Sequence, residues 1–166
     1  MKTMFAAIDR SIELLVAVIF AAMVLIGFFQ VFSRFVLNAT PSWSEEIQIF
    51  GHIWLVFLAI PIAYRRGAHI TVEAIRRVMA PWMTKALDLL IEFLWIGFAV
   101  ATAYYSYRVS LVTGNSVSPG LEMPMSYPYY GMILGALYLL LVVIRRLAGE
   151  LPPPDPDELP PEVTAI

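Results

Sequence analysis

The sequence predicts an all-α membrane protein: four transmembrane helices plus a cytoplasmic interfacial amphipathic helix between spans two and three. Three observations carry that prediction. Hydrophobic residues make up 60% of the 166, against about 45–50% in soluble domains. Charged residues are only 14%, and they fall between apolar stretches instead of along one helical face. Four uncharged or nearly uncharged runs approach the roughly 20 helical residues that a hydrocarbon core of ~30 Å requires. A chain of this length and composition has no room for a large catalytic or nucleic-acid-binding domain. The absence of cysteine excludes disulfides, thiolate metal sites and cysteine nucleophiles.

The first run, residues 14–33, holds 20 residues without charge between Glu13 and Arg34. It is too long for the apolar part of a cleaved signal, and it predicts a retained span over residues 12–33. The second, 47–64, has 18 residues and the fourth, 123–144, has 22; they predict spans over 47–64 and 126–146. The third is harder, because only 15 uncharged residues separate Glu92 from Arg108. A span over 87–109 resolves this, with Glu92 one turn inside one face and Arg108 snorkelling to the other. Nine Lys and Arg residues fall on one side of these spans, and only Arg34 and Arg108 on the other. Basic loops stay in the cytoplasm, so both termini are expected there, in a multi-pass membrane protein.

The connections have patterns of their own. Between spans two and three, Val72, Ile75, Met79 and Trp82 recur at helical spacing opposite Glu73, Arg76 and Arg77. Pro81 follows, so residues 70–80 read as a helix lying on the cytoplasmic lipid surface. Between spans one and two, Ser42 and Glu45 have capping-box spacing, Glu45 and Glu46 suit a helix N-terminus, and Trp43 suits the headgroup belt. The outer loop 113–124 is a Gly/Ser/Pro reversal that lacks the Gly-Lys-Ser/Thr of a phosphate loop. Residues 1–149 therefore form one four-span membrane domain. Residues 150–166 hold six of the 12 prolines and five of the 13 acids with no base, as expected of a disordered cytoplasmic tail. Without that tail the chain has 11 bases against eight acids, a net charge of +3, which suits contact with membrane lipid and not nucleic acid.

Polar residues inside spans are the candidates for chemistry, because burying a charge there costs at least ~2.5 kcal/mol. Glu45, Gln48 and His52 draw a polar stripe at i, i+3, i+7 on span two. It reads either as a proton relay or as a helix–helix hydrogen bond, and its depth near the interface favours the latter. Asp88 and Glu92 share a face of span three, where Lys85 or the preceding arginines can anchor them. His52 and His69 are the two histidines, and the expected topology puts them on opposite sides of the bilayer, which leaves no haem or metal cluster and no implied cofactor. Gly131 and Gly135 form Gly-x-x-x-Gly in span four, while Ala59/Ala63 and Gly97/Ala101 repeat small-residue spacing. Such pairs favour close helix packing, with a partner inside or outside the chain.

Arg34-Phe-Val-Leu-Asn38, Pro41-Ser-Trp43-Ser-Glu45-Glu46, Trp54 and Arg65-Arg-Gly-Ala-His69-Ile together carry a family resemblance. The chain resembles the small, DctQ-type membrane subunit of tripartite ATP-independent periplasmic (TRAP) transporters over its four spans, leaving the acidic tail outside. The resemblance implies a non-enzymatic subunit working with a large multi-span permease and a periplasmic substrate-binding protein that delivers an organic acid. It further implies uptake driven by a sodium gradient, with the small subunit a stator beside an elevator-like large one. Asn38, Trp43, Ser44, Glu45, Glu46, Trp54, Arg66 and His69 then become structural or partner-contact positions. The alternative is an independent proton-coupled exporter that uses Glu45, Gln48 and His52, or Glu92. Against it, these acids lie near the interfaces and not at mid-membrane. A membrane-lipid enzyme is a more distant alternative.

Overall fold

The computed structural model describes residues 2–39, 41–66 and 80–149, and every regular element in them is helical. Helix α1 is Lys2–Val36, α2 Ser42–Arg65, α3 Pro81–Thr113 and α4 Tyr127–Leu147. All four are long and apolar enough to cross a membrane. At ~1.5 Å per residue, α1 and α3 (35 and 33 residues) run to about 50 Å, whereas α2 and α4 (24 and 21 residues) come closer to the hydrocarbon thickness.

Helix α3 extends past both ends of the expected 87–109 span. Pro81 occupies its first turn, where a missing N–H costs nothing, and the helix continues through Arg108 to Thr113. Trp82 consequently lies on α3, largely exposed, and not at the end of a separate interfacial helix. The expected interfacial helix over 70–80, with Val72, Ile75, Arg76, Arg77 and Met79, lies outside the described residues apart from Ala80, as do His69 and the tail 150–166.

The start of α2 also differs from its expected form. Pro41 is the N-cap residue, with φ −69° and ψ 120°, and no side chain caps the helix. Ser42 is already helical and exposed, so the Ser42/Glu45 capping box does not form. Proline fixes the extended-to-helical turn through its ring, and buried Ser44 donates its hydroxyl back to the Pro41 carbonyl at 2.7 Å. Before it, α1 ends through Asn38 at φ 49°, a left-handed position that asparagine tolerates. The Leu37 and Ala39 N–H groups both return to the Ser33 carbonyl, at 3.1 and 3.2 Å.

The helices contact one another in the order α1, α2, α4, α3, which leaves α1 and α3 on the outside of the row. Helices α2 and α4 approach closely at two glycines of α4. Pro61, inside α2, has no N–H to give the Phe57 carbonyl four residues back. That carbonyl faces Gly135, where an added Cβ would lie only 2.4 Å from the oxygen. Four residues earlier, a Cβ on Gly131 would lie 2.6 Å from the Trp54 ring. The partner of this Gly-x-x-x-Gly pair is thus α2 of the same chain. Gly97 and Ala101 are exposed instead, with nothing near a Cβ at Gly97. Tyr64, Ala99, Tyr138, Leu139, Val142 and Val143 form the core, with Ile60 and Trp95 packed on it. The outward side chains of α1, including Leu25, Phe28 and Phe35, are exposed and apolar, as suits a face bathed in lipid.

Candidate functional site

Two polar clusters sit at opposite ends of the helices. One draws on all four elements. Asp9, about two turns into α1 and 5% exposed, accepts from the Tyr138 hydroxyl of α4 at 2.8 Å. It also pairs with Arg65 of α2 at 2.6 Å and Arg145 of α4 at 3.1 Å. Glu13, one turn further along α1, pairs with Arg65 and, at 3.1 Å, with Arg66. On the α3 side, Glu92 accepts from the Tyr64 hydroxyl and lies 3.5 Å from Arg146. The arginines are flanked by rings, with Arg146 5.0 Å from the Tyr64 centroid and Arg145 4.5 Å from that of Phe5.

This cluster was only partly visible in the sequence. Glu92 was expected to be anchored by Lys85 or the preceding arginines, whereas its partners shown here come from α2 and α4. The roles of Asp9, Glu13, Tyr64 and Tyr138 were missed. A signal existed: Asp9 and Glu13 share one face at i, i+4, and the counted topology puts them on the same side as the Arg65-Arg66 and Arg145-Arg146 pairs. Charges this close to an apolar core need partners, and those were the ones at hand.

At the other end, the Trp-Ser-Glu-Glu run of the sequence separates into distinct jobs. Trp43 stacks on Phe29 of α1 with centroids 5.8 Å apart. Ser44 closes the Pro41 turn, and Glu45 is exposed. Glu46 reaches the α3–α4 turn, where its two carboxylate oxygens accept from the Gly120 and Leu121 N–H groups at 2.9 and 2.8 Å. That turn is shaped by an isolated bridge between Val117 and Pro124 and by Glu122 at φ 53°. Gln48 donates to the Met23 carbonyl of α1 at 2.8 Å, so this member of the polar stripe ties two helices together. His52 is exposed. Trp54 donates its indole N–H to the Tyr127 carbonyl at 3.0 Å, where α4 begins.

Leu58, Ala99, Ala136 and Leu139 are buried between the two clusters, so the polar groups at the two ends are separated by packed hydrocarbon. Among the described residues no three His, Asp or Glu side chains gather as metal ligands. What the arrangement does chemically is fix helices in register: each polar group named above, Glu45 and His52 aside, spends its hydrogen-bonding capacity on another element or a turn. Residues Asn38 and Arg66 belong to this pattern as the left-handed turn after α1 and the partner of Glu13.

The DctQ component model of the tripartite ATP-independent periplasmic transporters matches residues 23–152. A Haemophilus influenzae protein described as a candidate TRAP transporter small permease protein is 22% identical over 154 residues, covering 91% of this chain and 94% of its own. The isethionate TRAP transporter permease protein DctMQ of Oleidesulfovibrio alaskensis is 23% identical over 115 residues. That match takes in 68% of this chain but only 18% of the much longer relative. The family model spans most of the chain, across the helices and the outer turn just described, and this multi-pass membrane protein therefore belongs to the DctQ component family of TRAP transporters.

Proposed function

We propose that this chain is the small scaffold subunit of a sodium-coupled, binding-protein-dependent TRAP transporter that imports an organic acid across the bacterial inner membrane. A large multi-span permease moves the substrate, a periplasmic binding protein delivers it, and this subunit is a non-enzymatic stator. Its termini face the cytoplasm, in keeping with the excess of Lys and Arg at that end. The observation that carries the reading is the distribution of polar groups: charges cross-linked between helices at one end, a buttoned-down turn at the other, and hydrocarbon between. Such a body resists shear, and among the described residues it offers no continuous polar path for a solute. The long DctMQ relative, in which a segment like this one is a small part of a larger permease, supports a large partner.

Asn38, Trp43, Ser44, Glu45, Glu46, Trp54, Arg66 and His69 serve structure or partner contact in this reading, and none binds substrate. Reconstitution in sealed vesicles tests it. The chain alone is expected to move no organic acid. Chain, large permease and binding protein together give uptake that requires an inward sodium gradient, and omission of the chain abolishes it. Solute movement by the chain alone overturns the proposal.

A further inference from the structure

The turn between α3 and α4 is fastened to α2 through one carboxylate, and its donors are arranged as a receptor for that group. The Gly120 and Leu121 N–H groups point at separate oxygens of Glu46, at 2.9 and 2.8 Å. Successive N–H groups converging on one anion form a nest. Their approach depends on Gly120: a Cβ there would lie 3.0 Å from both the Glu46 carboxyl carbon and the Ser42 carbonyl oxygen. Ser118, 2% exposed, is buried beside the same carboxylate. Its hydroxyl lies close to that carboxylate and has no other partner among the described residues. The nest therefore has a third donor beside the anion.

We infer that the outer turn is a carboxylate-binding strap whose resident ligand is Glu46, and that a small free monocarboxylate takes the same place when the Glu46 side chain is cut back. The ligand class follows from the geometry. Two N–H groups that address two oxygens of one planar group select a carboxylate over a spherical anion such as chloride. The strap also opens independently of the rest. The opposite end is tied by ion pairs from all four helices, so loss of this one fastening frees the turn without separating the helices. This inference stands on the loop geometry and does not depend on the transport role.

Hydrogen exchange on the full chain in lipid nanodiscs tests it, read at the peptide covering residues 114–126. In Glu46→Ala the Gly120 and Leu121 amides are expected to exchange about ten- to hundred-fold faster, the range for losing charge-assisted hydrogen bonds. Formate then slows exchange back to within about threefold of the parent protein, whereas chloride at equal ionic strength does not. Unchanged exchange in the variant, or equal effects of formate and chloride, overturns the inference. Glu46→Gln keeps the side-chain shape and fills the nest, so it gives intermediate exchange and no response to formate. If Glu46→Ala does not fold, parent-like exchange or a formate response in Glu46→Gln overturns the inference instead.

Discussion

Asp9 accepts from Tyr138 and pairs with two arginines from different helices while almost entirely out of solvent. Removing its charge takes one counter-ion from each of Arg65 and Arg145, with Glu13 still beside Arg65, in a place largely shielded from water. Asp9→Asn is therefore expected to lower stability by about 3 kcal/mol, the scale for breaking a buried pair from one side. Thermal unfolding in detergent, beside Asp9→Glu as the charge-retaining control, measures it. Glu45 behaves oppositely, because it is exposed and the described contacts leave it to an outside surface. Glu45→Gln is expected to change stability by less than about 0.5 kcal/mol and to reduce recovery of the large permease on co-purification, with substrate ranking unchanged. A changed ranking with normal assembly contradicts the scaffold role. Sequence alone put Glu45 and Glu46 together as helix-start acids. It had no means of separating them, because the difference lies in a turn about 75 residues away that only one of the two side chains reaches.

Helix α4 illustrates how small-residue spacing acquires meaning from what stands opposite. The Gly-x-x-x-Gly pair was legible in the sequence, but so were Ala59/Ala63 and Gly97/Ala101, and spacing gave no basis for ranking them. The distinguishing feature is on α2: Pro61 leaves the Phe57 carbonyl without its helical N–H donor, and Gly135 permits that carbonyl to press against the α4 backbone. Gly135→Ala puts a methyl group 2.4 Å from the backbone oxygen, which α2 and α4 relieve only by moving apart. The expected cost is about 2 kcal/mol, typical of overpacking, seen as a lower unfolding midpoint. Gly97→Ala meets nothing within 4 Å and is expected to leave the midpoint unchanged or raise it, by up to about 1 kcal/mol from helix propensity. Equal losses in the two variants contradict the α2–α4 assignment. The existence of the four helices was legible because uncharged length is a strong signal. Their ends were less so: Pro41 rather than Ser42 starts α2, and α3 absorbs Glu92 and Arg108 without stopping, since charges with partners or headgroups nearby do not end a helix.

At the scale of the whole molecule, the contacts fix which ends lie together, and a membrane then converts that into sidedness. Asp9 near the start of the chain, Arg65 at the end of α2, Glu92 in the first half of α3 and Arg145 at the end of α4 belong to one cluster, so the α3–α4 turn and the start of α2 lie at the opposite end. The proposed orientation gives the cluster end to the cytoplasm. The parent chain has no cysteine, so single cysteines report without background. Asn115→Cys in the outer turn and Ala148→Cys after α4 are both exposed, which makes their side chains open to a thiol reagent wherever that reagent has access. A membrane-impermeant maleimide applied to spheroplasts, from which the outer barrier has been removed, is expected to label the cysteine at 115 and to leave the one at 148 unlabelled until the membrane is permeabilised. The reverse pattern would keep the helix packing intact and invert the orientation. Labelling of both positions in sealed spheroplasts would contradict the pairing of ends itself, because four crossings that bring Asp9 beside Arg145 cannot place residues 115 and 148 on the same side.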